Sequence, residues 1–314
     1  MLVLTINAVI PLLLLIFFGY FLTRIGFFTQ DFLKIANALC FKFLVPVNVF
    51  LSMYNSGGIA TEEVSAMAFC MVLTLVTLPV AFFLVPKLVR RDQERGVMIQ
   101  STFRGNFVIY GTAVCLRVFG DESAALVALL TGFMIPVYNF SAALVLSYFA
   151  DRAKQGRSSP VKALTTALTN PLFVAPLLGM VLGLLSVPIP TPLMNGLSDI
   201  AKTANPMAQI FMGGCFTFAF IRKYRWKLIA ISFVKLLLVP GIAAALAVLL
   251  GFTGYQLGVI VCLFGAPAAV TTFNMTCQIG GDADLAVSNI VVTTCLSCVT
   301  LCGLFTLLSH MGLL

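Results

Sequence analysis

"FRGNFVIYGTAV" (residues 103–114) and "LFGAPAAVTTFN" (residues 263–274) decide how this chain folds. Each sets glycine, and the second also proline, inside a long apolar run, with polar side chains close by. Backbone freed at membrane depth must be buried in protein or line a cavity. The two stretches lie 160 residues apart, and the same shift brings other punctuation into register. Pro11 falls on Pro171, Gly19 on Gly179, Lys42 on Lys202, Pro46 on Pro206, Gly105 on Gly265 and Gly120 on Gly280. "FGDESAAL" (119–126) resembles "IGGDADLAV" (279–287) with one residue of slip. The chain reads as an internal repeat.

Composition sets the class. The 314 residues are 60% hydrophobic and 10% charged, against about 25% charged in a soluble domain. The expectation is an all-α polytopic membrane protein. Windows of about 20 apolar residues fall at 2–23, 32–55, 64–86, 97–118, 123–149, 162–185, 193–221, 227–250, 255–279 and 284–309. The first has no basic residue before it and is long enough to span, so it reads as a span and not a signal peptide. The net charge of +8 comes from residues that punctuate the apolar runs, with no interleaved aromatics to mark a nucleic-acid surface.

Those charges orient the chain. Lys87, Arg90, Arg91 and Arg95 follow the third window, Arg152, Lys154, Arg157 and Lys162 the fifth, and Arg222, Lys223, Arg225 and Lys227 the seventh. Alternate loops hold Glu62 and Glu63 or almost no charge. By the positive-inside rule the loops after odd-numbered spans are cytoplasmic and both termini lie outside. The loop near Asp282 and Asp284 has no basic residue and gives no separate support. Five spans per half is an odd number, so the second half enters from the opposite side: an inverted repeat, the construction of many secondary transporters. The expected division is 1–150, a cytoplasmic linker at 151–160, and 161–314. Broken spans four and nine would cross near the midplane and hold the substrate.

At these motifs the chain resembles the auxin efflux carrier family, which includes plant PIN proteins and bacterial malonate and malate carriers. Asn106 and Gly111 match the family's Asn followed by Gly-x-Pro, Pro267 matches a proline at the helix crossing, and "GGDADLA" is family-like. Ala113, Gly105 and Thr272 depart from the family by standing where prolines are expected. The resemblance implies a scaffold of spans 1, 2, 6 and 7 and a transport unit of spans 3–5 and 8–10. It also implies elevator-like movement, a homodimer, a bacterial inner membrane and a carboxylate substrate, malonate-like, malate-like or auxin-like.

The candidate substrate-binding residues are Arg104, Gly105, Asn106, Gly265, Ala266, Pro267, Thr271, Thr272 and Asn274. An arginine can grip a carboxylate through two parallel hydrogen bonds, and an intramembrane charge marks function by default; the alternative for Arg104 is snorkelling to the surface. Asn106 either binds substrate or satisfies freed backbone. Helix N-termini at the breaks favour an anion. Lys42 and Lys202 either attract the anion from each side or serve structure, Lys202 by pairing with Asp199; Asp199 is also a candidate proton-coupling carboxylate. The lone His310 is terminal. Cys295, Cys298 and Cys302 share a helical face but read as small packing residues, so no metal and no cofactor is expected. No HExxH or GxSxG is present, which argues against an enzyme. The reading is a secondary transporter of a small organic anion, with proton or sodium as candidate coupling ion. The alternatives are a sodium-coupled symporter of bile-acid-carrier type and an anion channel or sensor.

Overall fold

A computed structural model describes residues 2–55, 63–156 and 159–314, with side chains from Ile10 onward. Glu62 and Arg157, two of the charges used to orient the loops, lie outside the described residues. The chain begins with α1 (Leu2–Arg24), then α2 (Gln30–Leu39), which passes through a π turn at Cys40–Leu44 into α3 (Val45–Tyr54). Next come α4 (Val64–Leu88), α5 (Asp92–Phe103), a π turn at Phe107–Gly111, α6 (Thr112–Phe119) and α7 (Ala124–Gln155). The second half holds α8 (Pro160–Leu168), α9 (Pro171–Leu184), α10 (Thr191–Gly214) and α11 (Phe218–Phe233). A π turn at Val234–Leu238 leads to α12 (Val239–Leu249), followed by α13 (Gly254–Gly265), α14 (Val270–Ile279) and α15 (Ala283–His310). Among the described residues the only β pairing is an isolated antiparallel bridge between Gly105 and Ala268. The fold is all-helical.

Five helical stretches are long and apolar enough to cross a membrane: Gln30–Tyr54, Val64–Leu88, Phe107–Gln155, Phe218–Leu249 and Ala283–His310. A sixth is the pair α8 and α9, bent by 47°. All ten sequence windows fall largely on helix; of the rest, α1 is 23 residues long and almost wholly apolar, whereas α10 is too polar and α5, α13 and α14 are too short to cross alone. The 12 residues of α5 and of α13 make rods of about 18 Å, little more than half a bilayer core. The expected sixth window is not one rod: Asn170 caps α9, its side chain accepting from Leu172 N at 2.8 Å, and Pro171 starts the new helix. Pro46 and Pro240 follow two of the π turns; a proline removes the N–H that the residue four back would use, and a widened turn accommodates the loss.

The most extensive packing sets α1 along α10 and α3 along α9. Glycine permits both. A Cβ at Gly19 would collide with the Ile210 carbonyl, and one at Gly179 with the Phe50 carbonyl. Each member of the first pair differs from its counterpart by 160 residues, with the roles of the halves exchanged. The relation recurs nearby. A Cβ at Gly183 would lie 2.7 Å from the Tyr54 carbonyl oxygen, and one at Gly214 would lie 2.9 Å from Thr23 Oγ1. Small residues at such contacts let helix backbones approach where apolar solvent gives no hydrophobic drive. The outer faces of α1 and α4 carry exposed Leu14, Phe18, Phe21, Leu75 and Phe83, the surface a lipid-facing helix presents.

Candidate functional site

Two chain breaks meet inside the molecule. α5 stops at Phe103 and Arg104 turns extended (φ −90°, ψ 113°). α13 stops at Gly265 and Ala266 does the same (φ −58°, ψ 141°). The freed backbone is satisfied across the crossing. Asn106 N donates to the Pro267 carbonyl at 2.7 Å, and Ala268 N donates to Thr293 Oγ1 at 3.1 Å. Glycine at 105 permits the close approach, because a Cβ there would lie 3.1 Å from the Leu263 carbonyl oxygen and 3.2 Å from the Ala266 Cβ. Gly120 (φ 63°) and Gly280 (φ 128°) end the far halves, α6 and α14.

Arg104 is buried, 3% exposed, and does not snorkel. Its Nη2 donates to Asn139 Oδ1 at 2.5 Å and to Thr271 Oγ1 at 2.7 Å, while Nη1 lies 2.7 Å from Met275 Sδ. Asn139, on α7, is itself held by donating to the Leu172 carbonyl at 2.5 Å. All three of these Arg104 partners are neutral. The buried carboxylates among the described residues are engaged with other partners. Glu94 takes Lys227 at 2.6 Å, Asp151 takes Lys162 at 2.8 Å, and Glu63 accepts from Tyr255 at 2.7 Å and Gln256 at 3.0 Å.

A cavity of about 70 Å³ lies against this arginine. Its polar wall combines Arg104, Asn106, Asn139 and Thr271 with Asn48, Ser52 and Asn205 from α3 and α10. Val49, Met134 and Leu263 are among its apolar lining. The starts of two helical segments, at Phe107 and Val270, also border it, so their N-terminal partial charges act on its contents. Among the described residues the Asn106 side chain has no hydrogen-bond partner and remains available to a ligand. A larger cavity, about 720 Å³, is bordered by Arg24, Lys34, Asn37, Thr217, Gln278 and Asp284. It lies on the side where α1 and α14 end, and Arg104 is not in its wall.

The structure thus brings Arg104, Gly105, Asn106 and Thr271 to one cavity. Gly265, Ala266 and Pro267 form the crossing backbone and are not in its wall. Thr272 and Asn274 are fully buried but do not line it either, because successive residues of α14 point in different directions. Lys42 is exposed. Lys202 and Asp199 form a 2.9 Å pair with side chains 72% and 76% exposed. None of these three lines the cavity. Asn139, Asn48, Ser52 and Asn205 escaped the sequence reading, as did Lys235, which is fully buried beside Gly105. The signal was present for Lys235, a charged residue within the apolar run "FVKLLLVPG".

Crossing broken helices are a construction found in transporters, and comparison with known proteins places the chain in a transporter family. The profile of the family described as "Membrane transport protein" matches residues 4–305. The chain belongs to that family, the auxin efflux carrier family its motifs resemble. It is similar to the uncharacterized transporter MJ1031 of Methanocaldococcus jannaschii, 23% identical over 93% of this chain and 94% of that one. An uncharacterized transporter of Methanothermobacter thermautotrophicus is 25% identical over 94% and 95% of the two chains. The uncharacterized transporter YfdV of Escherichia coli is 25% identical over 76% and 77%. The protein is an integral membrane protein of a transporter family.

Proposed function

We propose that this protein is a secondary transporter of a small organic anion, a mono- or dicarboxylate of malonate, malate or auxin-like type, which binds in the cavity beside the crossover. The observation that carries the reading is Arg104, a buried guanidinium in the cavity wall whose hydrogen-bond partners among the described residues are all neutral. Burying a charge without a counter-charge costs several kcal/mol. A carboxylate supplies that charge and matches the planar donor fork. Asn106 adds an amide, and the two helix N-termini favour the same sign of ligand.

In this reading the chain forms two inverted five-span halves, 1–150 and 161–314, around the linker 151–160. α1 to α3 and α8 to α10 form the scaffold, and the remaining helices move against it as an elevator, with the carrier a homodimer. The exchanged glycine contacts support the halves: the same close approach joins α1 to α10 and α9 to α3. The basic loops support a cytoplasmic linker and outside termini, and the family resemblance suggests a bacterial inner membrane.

The test is uptake of labelled malonate into proteoliposomes, with short carboxylates, auxin-like acids and bile acids as competitors. Parallel arms omit sodium or the pH gradient. Saturable uptake blocked by short carboxylates is the expected result. Uptake that never saturates and follows voltage alone would make the protein a channel and end the carrier reading.

A further inference from the structure

Lys235 has no part in the site described so far. It sits in the π turn between α11 and α12, is fully buried, and its Nζ has no hydrogen-bond or ion-pair partner among the described residues. The ammonium nevertheless reaches the crossover. A Cβ built on Gly105 would lie 3.2 Å from Lys235 Nζ, 3.1 Å from the Leu263 carbonyl oxygen and 3.2 Å from the Ala266 Cβ. The ammonium and that carbonyl therefore share one small space, which exists because residue 105 has no side chain.

That space has a definite polarity. α5 and α13 both end at the crossing, and the last carbonyls of a helix carry partial negative charge. Leu263 is such a carbonyl. Its ordinary partner four residues on would be the N–H of residue 267, and Pro267 has none. In carriers made of broken helices, unwound carbonyls and half-helix C-terminal ends hold the coupling cation. Here the side-chain nitrogen of the chain's own Lys235 lies beside such an end. The cavity shares Gly105 and Leu263 with this space and is also bordered by the two N-terminal ends, but Lys235 is not in its wall.

We infer that Lys235 is the built-in counter-cation of the crossover. Its ammonium offsets the C-terminal ends of α5 and α13 in the place an exchangeable metal cation would otherwise take, so the anion is carried without sodium. The second half of this statement rests on the transport reading, whereas the first concerns the folded protein alone.

The experiment uses purified full-length protein in two readouts, thermal unfolding in detergent and malonate uptake in proteoliposomes. Lys235→Met keeps the side-chain length and removes the charge. It is expected to lower uptake about 30-fold, the effect of one cation at a partly buried helix C-terminus. Lys235→Ala leaves room for propylammonium. Its melting temperature should rise with added propylammonium and not with equal 1-propanol, which a merely space-filling lysine would not produce. Replacing sodium by choline should leave wild-type uptake unchanged. Equal rescue by propanol and propylammonium, or wild-type melting and uptake in Lys235→Met, would overturn the counter-cation. Sodium-dependent wild-type uptake would overturn its substitution for a metal. Failure of wild type to carry any anion would end the transport reading, while the unfolding arm would still decide the first half.

Discussion

The α1–α10 and α9–α3 contacts obey the 160-residue repeat, and the polar side chains at the crossover do not. In the packing seams, Gly19 on Ile210 and Gly179 on Phe50 are one contact made twice. At the crossover Gly105 and Gly265 correspond, but the positions that carry polar side chains are unlike. Arg104 matches Phe264, Asn106 matches Ala266, Asn139 matches Val299, Thr271 matches Gly111 and Lys235 matches Leu75. Backbone approach asks the same of both halves, a missing side chain, so symmetric residues serve. A single anion asks for one guanidinium. Two would leave an excess buried charge, whose cost rises steeply in a low-dielectric site.

The largest effect should come from breaking the symmetric part. Gly19→Leu and Gly179→Leu each drive a side chain into a backbone carbonyl that cannot yield as a side-chain tip would. Overpacking of this kind costs about 3 kcal/mol or more. Both variants are expected to lose the monodisperse peak in size-exclusion chromatography, or to melt far below wild type, and by similar amounts. A Gly179 variant as stable as wild type beside a ruined Gly19 variant would show that the two seams are not equivalent.

Next in size is the asymmetric part. Arg104→Ala removes the charge-assisted hydrogen bonds to the ligand and should cut anion uptake about 100-fold. Arg104→Lys restores the charge without the planar fork and should recover about a tenth of wild-type uptake. Folded yield should stay near wild type in the lysine variant. Uptake unchanged in Arg104→Ala would remove the arginine from the site and with it the reason for an anion.

The sequence made the symmetric part easy to read and the asymmetric part only half so. Glycine and proline act through the backbone, and their effect survives without knowing what packs against them. Hence Gly105, Gly265 and Pro267 located the breaks in advance. Side-chain direction is another matter. Thr271 and Thr272 are adjacent, yet one lines the cavity and the other does not, because each step along a helix turns the side chain by about 100°. Asn139 belongs to an unbroken helix that neither the repeat nor the family motifs marked, and only packing brings it to Arg104. The pairing of Lys42 with Lys202 in the repeat was true of the sequence but led away from the cavity: both are exposed.

Asn139 allows a sharper test of why the site is asymmetric. Asn139→Asp would place a carboxylate against the guanidinium that now holds an amide oxygen. The internal ion pair would compete with the substrate, and apparent affinity is expected to fall about tenfold. Asn139→Ala removes the hold on Arg104 without supplying a rival and should weaken binding less. Measured as the substrate concentration for half-maximal uptake, that order separates an arginine waiting for an anion from one that is only buried. An aspartate variant with wild-type affinity would mean that the cavity is not where the anion binds.

The smallest effect belongs to the exposed pair. Asp199 and Lys202 lie one helical turn apart on α10, both largely in solvent, where such pairs are screened and contribute little. Removing either charge should leave uptake, its pH profile and the melting temperature unchanged. This outcome would confine the working charges to the crossover. If Asp199→Asn instead shifts the pH dependence of uptake, a proton site lies on the exposed face of α10, and the working charges are not confined to the crossover.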